Sequence, residues 1–168
     1  MKTYTYKATL QLNISVDEAW EFFTNPNNLS RIMPSELNFK VIDEVELPLY
    51  EGQIISYSVT PLPFFKTSWV SEISHIKAPD YFIDTQIEGP YKLWHHKHFI
   101  KPTHNGCEVT DVVHYQVPFG IIGKALHPFI IKPQLDKIFI HRSKEIKKYS
   151  NEKYTFNRGI IRYRCRDR

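Results

Sequence analysis

The feature that most restricts the fold of this chain is a long central region without a helix of crossover length. Between Leu37 and Pro118 the sequence holds only extended segments separated by Pro, Gly or Asn, near residues 37–43, 52–60, 66–77, 80–88, 91–101 and 107–117. Neighbouring parallel strands need a connection of about a dozen residues or more, usually a helix. These six segments are therefore predicted to form an antiparallel meander.

The region before the meander predicts one strand and a short helical pair. Apolar and polar residues alternate from Tyr4 to Ile14, which is typical of a half-buried strand. Ser15 and Glu18 have the spacing of a capping box, and the apolar residues that follow recur at helical spacing until Asn25-Pro26. One or two further helical turns are predicted near residues 28–33.

The region after the meander predicts one long amphipathic helix. Apolar residues recur at intervals of three and four from Leu126 to Tyr149. Pro128 and Pro133 interrupt the first half of this pattern, so a kink is expected near Pro133. The order of elements predicts an α+β fold in which a curved, seven-stranded antiparallel sheet wraps around the final helix.

Length and charge predict one domain over residues 1–150 and a basic tail over residues 151–168. A chain of 168 residues is the size of one domain. The tail holds six cations and two acids, which is the whole net charge of +4, because the first 150 residues have 16 of each sign. A neutral body argues against nucleic-acid binding, and any membrane contact is expected through the tail alone. The N-terminus lacks the apolar region of a secretory signal, so a cytoplasmic location is expected.

Local motifs add a resemblance to a known family. The chain contains Gly89-Pro90, Trp94-x-His96-x-His98, Gly106 followed by Asp111 and Tyr115, and Pro118-x-Gly120. With the predicted order of elements, these resemble the helix-grip fold of the START-like (SRPBCC) superfamily, and most closely an uncharacterised bacterial ligand-binding branch. The superfamily includes lipid-transfer domains, polyketide cyclases and coenzyme Q-binding proteins. The resemblance implies a hydrophobic cavity between the sheet and the last helix.

Strand pairing predicts which way the central histidines face. In the segment 107–117 the odd-numbered residues are nearly all apolar, so they are expected to face the core. Asn105-Gly106 favours a two-residue hairpin turn, which makes the numbers of opposed residues sum to an odd number. Trp94, His96 and His98 are then expected on the inner face beside Asp111.

This orientation predicts a set of ligand-binding residues. His96, His98, Asp111 and Tyr115 would form the polar end of a pocket, and Arg142 on the last helix could anchor a carboxylate or extend to the rim. The expected walls are aromatic: Tyr4, Tyr6, Trp69, Trp94, Phe129 and Phe139. A self-satisfied network without a ligand is the alternative. Asp84 and Gln86 alternate with Tyr81, Ile83 and Ile87, so we expect these two polar residues to face solvent, although Phe82-x-Asp84-x-Gln86 matches a pattern of related sequences.

The sequence gives no specific motif for a metal site or for a catalytic nucleophile. His96, His98 and Asp111 provide three ligands for an open zinc centre, but His-x-His is frequent by chance in a chain with eight histidines, so no metal and no cofactor is assigned. The sequence has no glycine-rich phosphate loop and no Gly-x-Ser-x-Gly elbow.

Three functions stay open on this basis. The first is non-catalytic binding of a hydrophobic small molecule that is lipid-like, polyketide-like or quinone-like. The second is an enzyme of cyclase, dehydratase or hydrolytic type, with His96 or His98 and Asp111 as general acid/base. The third is delivery of a quinone or lipid to a membrane. Oligomeric state is left open.

Overall fold

A computed structural model of the protein describes residues 2–164, with side chains up to residue 155. It has one seven-stranded antiparallel sheet in the order β1-β7-β6-β5-β4-β3-β2. The strands are Tyr4–Leu12 (β1), Lys40–Val41 (β2), Ile54–Leu62 (β3), Phe65–Lys77 (β4), Tyr81–Glu88 (β5), Leu93–Thr103 (β6) and Gly106–Gln116 (β7). The predicted α+β helix-grip architecture is confirmed.

The short helical pair after β1 is also confirmed. Helix α1 spans Val16–Phe23, and helix α2 spans Pro26–Ile32. Both hydrogen bonds of the predicted capping box are present: the Glu18 amide donates to Ser15 Oγ (3.1 Å), and the Ser15 amide donates to the Glu18 carboxylate (3.0 Å). Asn25 caps α2 through its side chain, and Pro26 occupies the first helical position, where its missing N–H costs nothing.

The hairpin between β6 and β7 fixes the face of the central histidines. Thr103 pairs with Gly106, so the turn residues are His104 and Asn105, one position earlier than predicted. The sum of opposed residue numbers is still odd, and His98 lies opposite Asp111. His96 and His98 are only 4% and 5% exposed, so the predicted inward orientation is confirmed.

The last third of the chain is helical with one interruption. Helix α3 spans Gly120–Leu126, a π-helical segment spans His127–Ile131, and helix α4 spans Lys132–Arg164. Pro128 and Pro133 each lack the N–H that a continuous α-helix would use, which accounts for the interruption near the predicted kink.

The predicted boundary between domain and tail falls inside α4, which continues through residue 150. Residues 151–155 are helical and exposed. Cys165 and residues 166–168 lie outside the described residues, as do the side chains of the tail from residue 156. No helix among the described residues is both long enough and apolar enough to cross a membrane.

The hydrophobic core has three parts that together frame a space under the sheet. The helical pair packs against the part of β6 and β7 near their hairpin turn and against α4 near residue 146, through residues that include Phe22, Ile100 and Ile146. Leu135 and Phe139 of α4 pack on Trp94 and the inner face of β7. The third part lines β3–β5 and includes Ile55 and Phe82.

Candidate ligand cavity and its histidine–aspartate cluster

A cavity of about 150 Å³ lies between the inner face of β3–β6, helix α2 and helix α4. Most of its lining is apolar, contributed by both sides of the fold. Its aromatic walls are Phe39, Tyr57, Trp69, Tyr91, Trp94 and Phe139. Trp69 stands edge-on to Trp94, with ring centroids 5.2 Å apart.

Four charged or titratable side chains interrupt the apolar lining at one end. Asp84 comes from β5, His96 and His98 come from β6, and Arg142 comes from α4. Asp84 lies directly opposite His96 in the antiparallel pair, so both side chains project from the same face of the sheet. Sheet register therefore brings them together.

Two carboxylates enclose the two imidazoles. Asp84 Oδ2 lies 2.9 Å from His98 Nε2 and 3.6 Å from His96 Nδ1. On the other side, Asp111 Oδ1 lies 3.0 Å from His96 Nε2 and 2.8 Å from His98 Nδ1. The last contact is close but off the direction of a hydrogen bond, so His98 Nδ1 has no hydrogen-bond partner among the described residues. The imidazole centroids are 3.8 Å apart.

The electrostatics of this cluster separate the two histidines. Burial alone would lower the pKa of His98, but its contacts with Asp111 and Asp84 outweigh burial and raise that pKa. Burial and the neighbouring His98 charge lower the pKa of His96. Burial would raise the pKa of both carboxyls, but the imidazoles hold the pKa of Asp84 low and that of Asp111 well below its usual range. These contacts favour the charged forms of Asp84, Asp111 and His98 and the neutral form of His96.

Arg142 adds a buried guanidinium to this end of the cavity. Its side chain is buried and its guanidinium lies 5.1 Å from the Phe139 ring centroid. Arg142 Nε has no hydrogen-bond partner in the described part of the chain. Arg142 is also a buried donor that an acceptor inside the cavity would satisfy.

The structure places the sequence-predicted residues in three positions. Asp111 lies behind the histidines, beyond the cavity wall. Tyr6 stacks on Phe139 at 4.6 Å, Tyr115 Oη is hydrogen-bonded to His127 Nε2 at 2.7 Å, and neither residue lines the cavity. The predicted residues that do line it are Trp69, Trp94, His96, His98, Phe139 and Arg142.

Tyr4, Phe129 and Asp84 also lie where they were not expected. Tyr4 stacks on His127 and does not line the cavity. Phe129 is 79% exposed and does not line the cavity. It lies in the π-helical segment, whose wider turns change the angular positions that regular helical spacing predicts. Asp84 does not face solvent, since it lines the cavity and contacts His98.

Gln86 has a structural role that spacing did not reveal. Its side-chain amide donates to the Tyr91 carbonyl at 2.7 Å, and the Tyr91 amide donates back to Gln86 Oε1 at 3.3 Å. Gln86 therefore closes the loop between β5 and β6 and holds Tyr91 in the cavity wall. The sequence analysis expected Gln86 to face solvent, although it noted the pattern of Phe82, Asp84 and Gln86, and it did not identify Tyr91.

A helix-grip domain with an apolar cavity closed at one end by charged side chains is the class that this fold and site define. The chain belongs to the family described as polyketide cyclase/dehydrase and lipid transport, whose family model matches residues 12–135. The predicted START-like resemblance is thereby confirmed. No curated protein matches the sequence.

Solved structures share the fold at low sequence identity. A norcoclaurine synthase mutant from Thalictrum flavum, in complex with a transition-state analogue, aligns with a TM-score of 0.64 and 17% identity over 90% of this chain and 96% of its own. Ginseng major latex-like protein 151 from Panax ginseng aligns with a TM-score of 0.64 and 13% identity, covering 88% and 97%. The di-domain ARO/CYC StfQ of steffimycin biosynthesis aligns at 0.61 with 13% identity, covering 90% of this chain and 52% of StfQ.

Proposed function

We propose that this protein binds a compact hydrophobic molecule with one polar end, held in the cavity between the sheet and α4. The observation that carries the proposal is the combination of aromatic walls with a buried, charged end at Asp84, His98 and Arg142. Cavities of this composition suit ligands that are mostly apolar and are oriented by a few polar contacts.

The size of the cavity restricts the ligand. An apolar protein cavity of about 150 Å³ holds a molecule the size of benzene, and the cavity here has that volume. The ligand portion inside is therefore a single ring or a short chain. A longer chain has a route outward, because Leu37, Pro61, Gln134 and Ile138 line both the cavity and a neighbouring surface groove.

The donors at the closed end restrict its polar group. Arg142 Nε offers a hydrogen without a partner among the described residues, and the two carboxylates are already engaged by the histidines. A ligand with a hydrogen-bond acceptor, such as a carbonyl, carboxylate or phenolate, satisfies Arg142. We expect an anionic single-ring compound to bind more tightly than its neutral analogue.

Tryptophan fluorescence tests the proposal with benzoate and benzyl alcohol as probes, because Trp69 and Trp94 both lie in the cavity wall. Benzoate is expected to change the emission and to bind more tightly than benzyl alcohol. Arg142→Met should remove this preference, whereas Lys144→Met, which deletes an exposed charge from the same helix, should keep it. If neither probe binds, the space is a packing defect and the proposal is wrong.

Native mass spectrometry of the protein purified from its own host identifies the natural ligand class. An adduct that Arg142→Met loses and Lys144→Met retains supports binding in this cavity. Conversion of the bound molecule, lost in a folded His98→Ala variant, would instead support the enzyme with His96 or His98 and Asp111 as general acid/base. The solved structures share the fold at 13–17% identity, so the comparisons favour neither outcome.

A further inference from the structure

The side of the histidine pair that faces the cavity has the composition of a metal site. Asp84, His96 and His98 each offer one ligand atom, and these atoms all lie within 4.8 Å of one another. Ligand atoms of a tetrahedral zinc ion with bonds of 2.0–2.1 Å are about 3.3 Å apart. The observed separations from Asp84 Oδ2, 2.9 Å to His98 Nε2 and 3.6 Å to His96 Nδ1, lie on either side of that value.

Asp111 has the position of a residue that orients metal-binding imidazoles. Its Oδ1 atom faces the other nitrogen of each ring, 3.0 Å from His96 Nε2 and 2.8 Å from His98 Nδ1. A proton on each of these nitrogens leaves His96 Nδ1 and His98 Nε2 as lone pairs on the side of Asp84. Histidine ligands in metal sites commonly donate their second N–H to a carboxylate. His96 Nε2 has this hydrogen bond to Asp111, whereas His98 Nδ1 is close to Asp111 but off the direction of a hydrogen bond.

We propose that Asp84, His96 and His98 bind a divalent transition-metal ion, that Asp111 orients the two imidazoles, and that the remaining coordination positions open into the cavity. Two imidazoles and one carboxylate are a ligand set that zinc and ferrous ions use when they keep open positions. The set differs from the His96, His98 and Asp111 triad that strand spacing suggested. Asp111 is behind the rings, whereas Asp84 shares the cavity with them.

Binding of the ion changes the charge and the number of protons at this site, and these changes indicate which ligand group it would accept. The ion replaces the proton that His98 Nε2 shares with Asp84, and that proton is released to solvent. The two carboxylates then neutralise the divalent charge, while Arg142 adds one positive charge at the same end of the cavity. An anionic group on a cavity ligand would balance that charge and occupy an open position.

Metal retention by protein without a histidine tag tests the proposal directly. The protein is stripped with a chelator, incubated with Zn²⁺ or Co²⁺, passed through gel filtration and analysed for metal. We expect about one ion per chain in the wild type. His98→Ala and Asp84→Asn should each weaken retention at least tenfold, and Asp111→Asn should weaken it by about 10–100-fold.

The chain provides a matched control in the neighbouring residue. His95 lies on the same strand with its side chain on the opposite face, where Nδ1 contacts Thr85 Oγ1 at 3.0 Å. His95→Ala should retain the metal like the wild type, and it should keep the Co²⁺ visible spectrum of a site with nitrogen ligands. Circular dichroism identifies any variant that does not fold, and His98→Gln replaces His98→Ala in that case.

Two outcomes would overturn the proposal: stripped wild-type protein that retains no more metal than His98→Ala, or His95→Ala that loses as much as His98→Ala. The test uses the metal alone, without an organic ligand. A negative result in the metal experiment therefore does not affect the benzoate experiment. A negative result with benzoate likewise does not affect the test of metal binding.

Discussion

The hydrogen bond between Tyr115 and His127 predicts a measurable loss of stability in Tyr115→Phe. The phenol oxygen and His127 Nε2 are hydrogen-bonded at 2.7 Å, and both residues are buried. Burial raises the pKa of Tyr115 to about 12, so its hydroxyl stays protonated. His127 also stacks on Tyr4 with ring centroids 3.7 Å apart. This contact ties the π-helical segment to the sheet.

Removing the hydroxyl leaves a buried imidazole nitrogen without its hydrogen-bond partner. An unsatisfied buried polar group costs about 1–3 kcal/mol. With an unfolding slope of about 2 kcal/mol per M urea, that loss moves the urea midpoint down by about 0.5–1.5 M. Far-UV circular dichroism measures the midpoint, and Tyr50→Phe, which removes a hydroxyl from an exposed tyrosine, is the control. A midpoint for Tyr115→Phe that matches Tyr50→Phe would contradict the reasoning.

The burial of His127 predicts that the stability of the protein depends on pH in a defined direction. Burial, with Lys2 and Lys132 nearby, lowers the pKa of His127 in the folded protein below its ordinary value of 6.5. Between that value and the lower folded pKa the unfolded chain binds the proton more readily, so stability falls as the pH falls. His127→Phe keeps an aromatic ring against Tyr4 but removes this contribution. Its stability should therefore decline less than that of the wild type below pH 6.5, and equal declines would refute the assignment.

Further predictions concern packing, backbone strain and the tail. Leu135→Ala, at a fully buried position on the cavity wall, should cost about 3–5 kcal/mol in urea unfolding, and a loss under 1 kcal/mol would mean that the cavity collapses. Phe119 is exposed with φ 63°, so Phe119→Gly should raise stability by about 0.5–1 kcal/mol whereas Phe119→Ala should not. Gly106→Ala should destabilise by about 2–3 kcal/mol, because the new Cβ overlaps the Leu12 carbonyl oxygen. Deleting residues 151–168 should abolish binding to anionic liposomes if the basic tail is the membrane contact, and unchanged binding removes that role.

Pairing geometry made the central part of the site predictable from sequence. The apolar odd positions of β7 and a short turn place His96 and His98 on the inner face, and the register His98 opposite Asp111 agrees. The turn lies one residue earlier than expected, but moving a two-residue turn along the chain changes the sum of opposed numbers by two. The parity, and with it the face, is unchanged.

The position of Phe129 was not predictable in the same way. Helical spacing assumes about 3.6 residues per turn along the whole element. The segment His127–Ile131 has wider turns, so residues before and after it no longer follow one angular count. Pro128 and Pro133 indicated an interruption, but a proline does not specify whether the chain bends, frays or widens at that point.

The position of Asp84 shows where average hydropathy gives the wrong face of a strand. Between Tyr81 and Ile87 the odd positions are the more apolar, yet the even positions Phe82 and Asp84 face the cavity. Burying a lone carboxylate would cost several kcal/mol, and hydropathy counts only that cost. It does not count the imidazoles that β6 places directly opposite, which contact the carboxylate and offset the cost of burying it. An inward Asp84 is satisfied by the histidines that β6 places inside, so the histidine prediction contained a signal for Asp84 that hydropathy alone does not give.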